Sequence, residues 1–307
     1  MASDCIDVII PTYNRLWALQ RVVEFYLQRQ EVRRVILVDD GSTDGTWDWI
    51  SGEASRNGRL VALRHARNRG ASASRNTGAD AADAPFAFFA DDDMLFTPAD
   101  GLAFMLEEMK THEADIAAPI HVFPESRGDR ALPTVVRSYA GVTPMLYQRG
   151  TLELRPRTVV AEWSLPRSLA TSLGCAWMLM RRHVLEKVRY DEGLGVTGYR
   201  DETDFQLKAL REGFRLRACS RPVMIDLARE RDKGGCHSTS RAEYVWRAYR
   251  NNWRILVRHE QVIREGLGIR APILWLHVCF VFEHGLGLGR HYVGSALRRC
   301  GFVGRTR

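Results

Sequence analysis

Apolar residues gather along this chain in short runs that stop at turn formers. Val8-Ile9-Ile10, entered at Asp7, ends at Pro11, and Val35-Ile36-Leu37-Val38 ends at Asp39-Asp40-Gly41. Such runs, bounded by turn signals, read as buried parallel strands. Between them Leu16, Leu19, Val22, Val23, Tyr26 and Leu27 recur at helical spacing, giving strand, helix, strand, which is one right-handed crossover unit. The alternation continues with a helix over 46–54 that Ser42 or Asp44 caps, a strand over 60–63, a helix over 71–82 and a strand over 86–89 that runs into Asp91-Asp92-Asp93. In open parallel sheets ligands bind outside the carboxyl ends of the strands. Residues 11–15, 39–44 and 91–93 are therefore expected in one crevice.

Further along, a helix over 102–110 leads to a strand over 116–120. A stretch over 123–170 follows, with five prolines and little periodicity, and reads as a long binding loop for a second substrate. Regular structure is expected again as a strand over 174–181, a helix over 183–188 and a last strand over 222–227. The whole pattern predicts an α/β fold with a Rossmann-like, mostly parallel sheet flanked by helices.

Composition excludes disordered, collagenous and coiled-coil chains, because 45% hydrophobic and 26% charged residues over 307 positions can bury a full core. Charge divides the chain. Residues 229–307 hold 15 Lys and Arg against 6 Asp and Glu, so the net charge of +7 comes from this segment and the rest is close to neutral. Within it Tyr244, Val245, Trp246, Ala248, Tyr249, Trp253, Leu256 and Val257 alternate with Arg241, Arg247, Arg250, Arg254 and Arg258 at helical spacing. This predicts a C-terminal helical region, 229–307, following a domain of 1–228. Its basic amphipathic helix is expected either to dock on the body or to make a peripheral contact at a membrane surface. Nucleic acid is not an expected partner, since the aromatic residues follow the apolar face. The apolar stretch 271–282 is too short to cross a bilayer core of roughly 30 Å. Six cysteines without a C-x-x-C pair, and an N-terminus that lacks the basic start of a signal peptide, predict a cytoplasmic protein, at most peripheral at the inner face of the cell membrane.

Carboxylates at a strand end can place oxygens around a hard divalent ion that also holds a diphosphate, whereas an isolated acidic triplet is as well explained by a solvated turn. The order of motifs decides. Ile10-Pro11-Thr12-Tyr13-Asn14-Arg15, Val38-Asp39-Asp40-Gly41-Ser42-Thr43-Asp44, Asn68-Arg69-Gly70 through Ser74-Arg75-Asn76, and Phe89-Ala90-Asp91-Asp92-Asp93 follow one another. Asp201-Glu202-Thr203-Asp204 comes later. In this arrangement the chain resembles the family 2 glycosyltransferases.

The resemblance implies a GT-A fold, a nucleoside-diphosphate sugar as donor with UDP favoured, Mn2+ or Mg2+, and inversion at the anomeric carbon. By its motifs Pro11, Thr12, Tyr13 and Arg15 line the nucleoside pocket and Asp40 meets the base edge. Arg69 or Arg75 lies near the base or diphosphate. Asp91 reaches ribose or metal, Asp93 binds the metal, and Asp92 fills a position the family leaves open. His237 completes the metal site. Inversion needs a carboxylate that takes the proton of the attacking hydroxyl. Glu202 occupies that position with Asp201 as the second candidate, and Asp204 reads as a helix-start residue favoured by the helix dipole. The absence of a Gln-any-any-Arg-Trp segment and of spanning helices implies a non-processive enzyme. Its acceptor would be a glycan, a lipid-linked molecule or a small molecule. Two other readings fit an α/β layer of this kind: a sugar-phosphate nucleotidyltransferase and a non-catalytic sugar-nucleotide-binding protein.

Overall fold

The computed structural model describes residues 4–122, residues 168–226 except 172, 175 and 197, and residues 240–282 except 268, 270 and 279. The chain begins with the expected crossovers: β1 (Ile6–Thr12), α1 (Leu16–Leu27), β2 (Val32–Asp39), α2 (Thr46–Arg56), β3 (Leu60–Arg64), α3 (Ala71–Ala81) and β4 (Phe86–Phe89). These four strands pair in parallel in the order β3-β2-β1-β4. Every residue of β1 and of β4 is buried, which is why both segments read as continuous apolar runs. Their side chains alternate between two cores. Val8, Ile10 and Leu37 pack with Leu19, Val22 and Tyr26 of α1, while Ile9, Ile36 and Val38 pack on the opposite face with Ala79 of α3.

Beyond β4 the sheet becomes mixed. It adds β5 (Met94–Thr97), α4 (Gly101–Thr111), β6 (Ile116–Val122), β7 (Leu169–Thr171), β8 (Met178–Arg181), α5 (Arg182–Lys187), α6 (Asp201–Arg211) and β9 (Leu216–Asp226). The order continues β4-β8-β6-β9-β5, with β7 also on β9. β8 lies antiparallel between β4 and β6, β9 runs parallel to β6, and β5 closes that edge antiparallel to β9.

Here the structure departs from the reading of the sequence. β9 starts at Leu216, six residues before the expected strand, because Pro222 interrupts its pattern. The β6–β9 register shifts between Ala118 and Ile120, the stretch that contains Pro119 and faces Pro222 across the ladder. A proline has no N–H to give to a ladder and is accommodated at such irregularities. β8 is shorter than 174–181, and β5 follows the acidic turn so closely that it was not separable from it. Neither Ser42 nor Asp44 is the cap of α2: Gly45 holds that position at φ 89°, and Asp44, one residue before it, accepts from the Thr46 amide at 3.1 Å.

The C-terminal region shares a core with the body. α7 (Arg241–Arg258) sends Ile255 and Leu256 into a third apolar cluster with Leu207 of α6, Leu194 and, from beyond α7, Ile263, Ile269, Ile273 and Leu276. Among the described residues no helix is long and apolar enough to cross a membrane.

Candidate functional site

The loops at the carboxyl ends of β1 and β2 are stitched to each other. Asn14, in the left-handed region at φ 54°, donates its amide to Ser42 Oγ at 2.9 Å, and its side-chain oxygen accepts from the Thr43 amide at 2.8 Å. Asp40 holds the next loop. It is 4% exposed, and its carboxylate accepts from the amides of Arg69 at 2.9 Å and Gly70 at 2.7 Å and lies 2.7 Å from His65 Nδ1. Gly70 has φ +95°, and a Cβ there would stand 2.8 Å from the Val196 Cα, so only glycine lets this turn approach the segment that precedes α6. Arg69 crosses the same gap to Glu192 at 2.8 Å.

The three acidic residues after β4 divide between two guanidiniums, those of Arg15 and Arg75. Asp92 points inward. It accepts from Thr12 Oγ1 at 2.8 Å and from Arg15 at 3.1 Å, and is 6% exposed. Burial raises its pKa, against the opposing effect of Arg15 and Thr12. Asp93 pairs with the same Arg15 guanidinium and keeps 16% of its side chain open to solvent. Asp91, 30% open, accepts from Arg75 at 3.1 Å and from Trp177 Nε1 at 2.8 Å. The middle residue is thus the buried one, and Asp91 and Asp93 flank it with more of their side chains open to solvent.

Arg75 connects this turn to α6. It lies on α3 and is 4% exposed, with its guanidinium 5.2 Å from the centre of the Tyr190 ring, which itself stacks on Phe205 of α6. It bonds Asp201 at 2.8 Å, Asp91 at 3.1 Å, and lies 3.5 Å from Glu202 Oε1. Ser72, one turn before it, also donates to Asp201, at 2.8 Å. Asp201 is fully enclosed and accepts from the Glu202 amide at 3.0 Å, which satisfies one of the free donors at the start of the helix. The preceding Arg200 adopts φ 66°, the second non-glycine residue of the site in this costly region. One buried cation therefore serves three carboxylates. Burial and the neighbouring Asp201 push Glu202 well above the usual carboxylate range, with Arg75 acting in the opposite direction. A quarter of the Glu202 side chain reaches solvent, so a proton can be exchanged there.

Of the residues singled out from the sequence, Thr12, Arg15, Asp92 and Asp93 form one bonded group and Arg75, Asp91, Asp201 and Glu202 a second, and the two adjoin at the acidic turn. Pro11 is buried at the end of β1, and Tyr13 is half-buried in the loop after it. Asp40 and Arg69 form the adjacent loop. His237 and the proline-rich segment 123–167 lie outside the described residues. Asp204 stands in the first turn of α6, as expected, and is in addition fully buried, bonding Arg258 at 3.0 Å, His259 at 2.9 Å and Lys208 at 2.7 Å. Three contributors escaped the sequence reading. Ser72 and Tyr190 carried no motif of their own, and Trp177 stands 86 residues from its partner Asp91, a separation that periodicity does not bridge.

Among the described residues no group of three His, Cys, Asp or Glu side chains is arranged to hold a metal by itself. Asp91 and Asp93 do offer hard carboxylate oxygens on the open side of the turn. That donor set fits Mg2+ or Mn2+ when diphosphate oxygens complete the shell.

Known proteins share this arrangement of sequence and fold. The chain is 26% identical over 295 residues to the uncharacterized glycosyltransferase YaiP of Escherichia coli K12, with 92% of this chain and 65% of YaiP covered. It is also 26% identical to the succinoglycan biosynthesis protein ExoU of Rhizobium meliloti, covering 86% of this chain and 77% of ExoU. The chain thus spans just under two thirds of the length of YaiP. Its fold is similar to that of the mannosyltransferase PcManGT from Pyrobaculum calidifontis, solved in complex with GDP-Man and Mn2+, at a TM-score of 0.58 and 16% identity over 95% of this chain and 79% of that one. The sequence model described as Glycosyl transferase family 2 matches residues 7–188, more than half of the chain and the part that carries the crossover strands, the acidic turn and Arg75, and the protein belongs to that family.

Proposed function

We propose that this protein is a non-processive, inverting, metal-dependent glycosyltransferase that moves a sugar from a nucleoside-diphosphate donor to an acceptor hydroxyl, with Glu202 as the base. The observation that carries the reading is Arg75: through one buried guanidinium it ties Asp91 of the acidic turn to Asp201 and Glu202 of α6. The carboxylates that would face the leaving diphosphate and the one that would face the incoming hydroxyl are then neighbours.

Each residue has a chemical part in this reading. Pro11, Thr12, Tyr13 and Arg15 line the nucleoside side; Asp40, expected at the base edge, is instead enclosed with its carboxylate taken up by His65 and the amides of Arg69 and Gly70, so it shapes the loop that carries Arg69 toward the base or diphosphate. Asp91 and Asp93, with His237 as the resemblance implies, would hold Mn2+ or Mg2+. Such an ion supplies positive charge for the departing diphosphate. Arg15 pairs with Asp92 and Asp93, so it keeps the turn from being a bare acidic cluster when nothing else neutralises it. Glu202 accepts the hydroxyl proton as the new bond forms, and its raised pKa makes it a stronger base than an ordinary carboxylate. Asp201 and Arg75 hold Glu202 in position. We place the reaction in the cytoplasm, with UDP as the favoured nucleoside diphosphate and a glycan, a lipid-linked molecule or a small molecule as acceptor. The name of ExoU, a succinoglycan biosynthesis protein, supports a glycan acceptor.

A thermal-shift screen of UDP-, GDP- and dTDP-sugars, each with and without Mn2+, tests the proposal, because a ligand that binds only the folded state raises its apparent stability. One nucleotide class is expected to raise Tm in a metal-dependent manner, followed by sugar transfer with inverted configuration. A protein that no nucleotide sugar stabilises, with or without the ion, would contradict it.

A further inference from the structure

Among the described residues, the C-terminal helices present an apolar face that the fold leaves uncovered. On α7, Trp246, Trp253 and Val257 are 59%, 40% and 49% exposed; at spacings of seven and four residues they lie along one stripe. Trp253 touches His277 at 5.3 Å between ring centres, and Asn252 bonds the same imidazole at 3.0 Å, so the helical residues 273–278 and 280–282 lie beside α7. They continue the face with Leu274, Trp275, Val278 and Phe282, each 46–65% exposed. Seven large apolar side chains, three of them tryptophans, therefore stand in solvent along two neighbouring helices, on the side away from the core that Ile255, Leu256, Ile273 and Leu276 share with α6. Scattered exposed apolar residues are ordinary, but a continuous patch of this composition marks an interaction surface.

We infer that this face lies on a bilayer of anionic phospholipid, with the tryptophans and Phe282 at the level of the headgroups. Charge selects that occupant. Arg247, Arg250 and Arg254 crowd one side of α7, flanking the apolar stripe; Arg250 and Arg254 donate to the carbonyls of Leu194 and Gly193 and keep their charge, and the Arg250 guanidinium stands 5.1 Å from the centre of the Trp246 ring. Acidic residues are present as well: Glu243 pairs with Arg247, and Glu260 with Arg264. The sequence beyond the patch nevertheless remains basic, with five arginines and one glutamate over 283–307. Tryptophans beside arginines are the composition of a membrane interface, where an indole buries its ring and leaves its N–H in the wet layer. The inner side of the same unit meets the start of α6. Phe280 lies 4.9 Å from the Arg200 guanidinium and 6.0 Å from the Tyr199 ring. A bilayer on the outer face would thus hold the site at a short distance from the membrane plane. The inference does not rest on sugar transfer, since lipid binding is measured without donor.

The test is co-sedimentation of the full chain with vesicles of phosphatidylglycerol and phosphatidylcholine, beside vesicles of phosphatidylcholine alone. Binding to the anionic vesicles, weakened by salt and accompanied by a blue shift of tryptophan fluorescence, is expected. A Trp275→Glu/Phe282→Glu variant should bind at least about tenfold more weakly, since each buried large side chain is worth about that much or more in partitioning. Trp246→Glu, on the other helix, gives the same reading if the double variant fails to fold, which circular dichroism reports. Absence of vesicle binding by the wild type, or unchanged binding by folded variants, would overturn the inference. So would a concentration-dependent dimer that the substitutions abolish without any vesicle binding, which would assign the face to a second copy of the chain.

Discussion

Two charged clusters share helix α6 and are built in opposite ways. At its start, Asp201 and Glu202 join Asp91 around one guanidinium, that of Arg75; one turn later, Asp204 is surrounded by Lys208, Arg258 and His259, with Asp191 sharing Arg258. Burial acts on both and disfavours ionisation, but the outcomes diverge. Glu202 is pushed well above the usual range, whereas the hydrogen bonds from His259 and Lys208 outweigh burial at Asp204 and hold its pKa at about 2. The first cluster is short of positive charge and partly open to solvent, so it is suited to receive a cation or a proton. In the second, Asp204 itself is enclosed and compensated. It fastens α7 to the helix that bears the proposed base.

The comparison is broken most severely at Arg75. Arg75→Met leaves Asp91, Asp201 and Glu202 without their common cation, and removal of one partner from a buried ionic group costs about 3–5 kcal/mol. Urea unfolding near neutral pH should show a loss of that size, shrinking toward acidic pH as the carboxylates protonate. A loss below about 1 kcal/mol would mean that Arg75 does not hold the cluster together.

Asp204→Asn should cost less, about 2 kcal/mol, since charged hydrogen bonds are worth roughly that much and Lys208 and Arg258 can still reach water. The pH dependence has a definite sign. A carboxylate whose pKa is lower folded than unfolded contributes stability that is present above its ordinary value near 3.8 and lost as pH falls toward about 2. Wild type and variant should therefore converge in that window. If the difference persists at its bottom, the stabilisation comes from packing.

Glu202→Gln is expected to move stability the other way, by about +1 kcal/mol, within the range of substitutions that relieve a strained functional site. Its native pKa lies above the unfolded value, so the folded state of the wild type is penalised as pH rises past the ordinary glutamate range, and the gain of the variant should vanish below it. A variant less stable than wild type at neutral pH would show that Arg75 already compensates Glu202 in full.

The two clusters also differ in how far they could be read from the sequence. Strands buried on both faces leave continuous apolar runs, so β1 to β4 and the loops at their carboxyl ends were legible, and with them Thr12, Arg15, Asp40 and the acidic turn. Glu202 and Asp201 were legible through the family resemblance, though not their link to Arg75, which is 126 residues from Asp201. The Asp204 anchor was not legible. Its partners Arg258 and His259 come from the end of α7 and just beyond, and read as part of a basic helix, because charge spacing along one helix says nothing about a carboxylate on another. The edge strands β5 and β7 escaped for a related reason: four- and three-residue segments pair through backbone with β9 and need no apolar pattern of their own. Periodicity reports which face of an element is buried, and tertiary pairing decides the rest.

The central claim is that Glu202 acts on the acceptor within the cleft that holds the donor. Once a donor has been found, its affinity by titration calorimetry and its rate of transfer should be measured together for the wild type and Glu202→Gln. The account predicts donor affinity within about twofold, as expected when the substituted group touches the acceptor and not the donor, and transfer slowed by about 10²–10⁴-fold, the span of general-base catalysis. Transfer at the wild-type rate in the variant would contradict it.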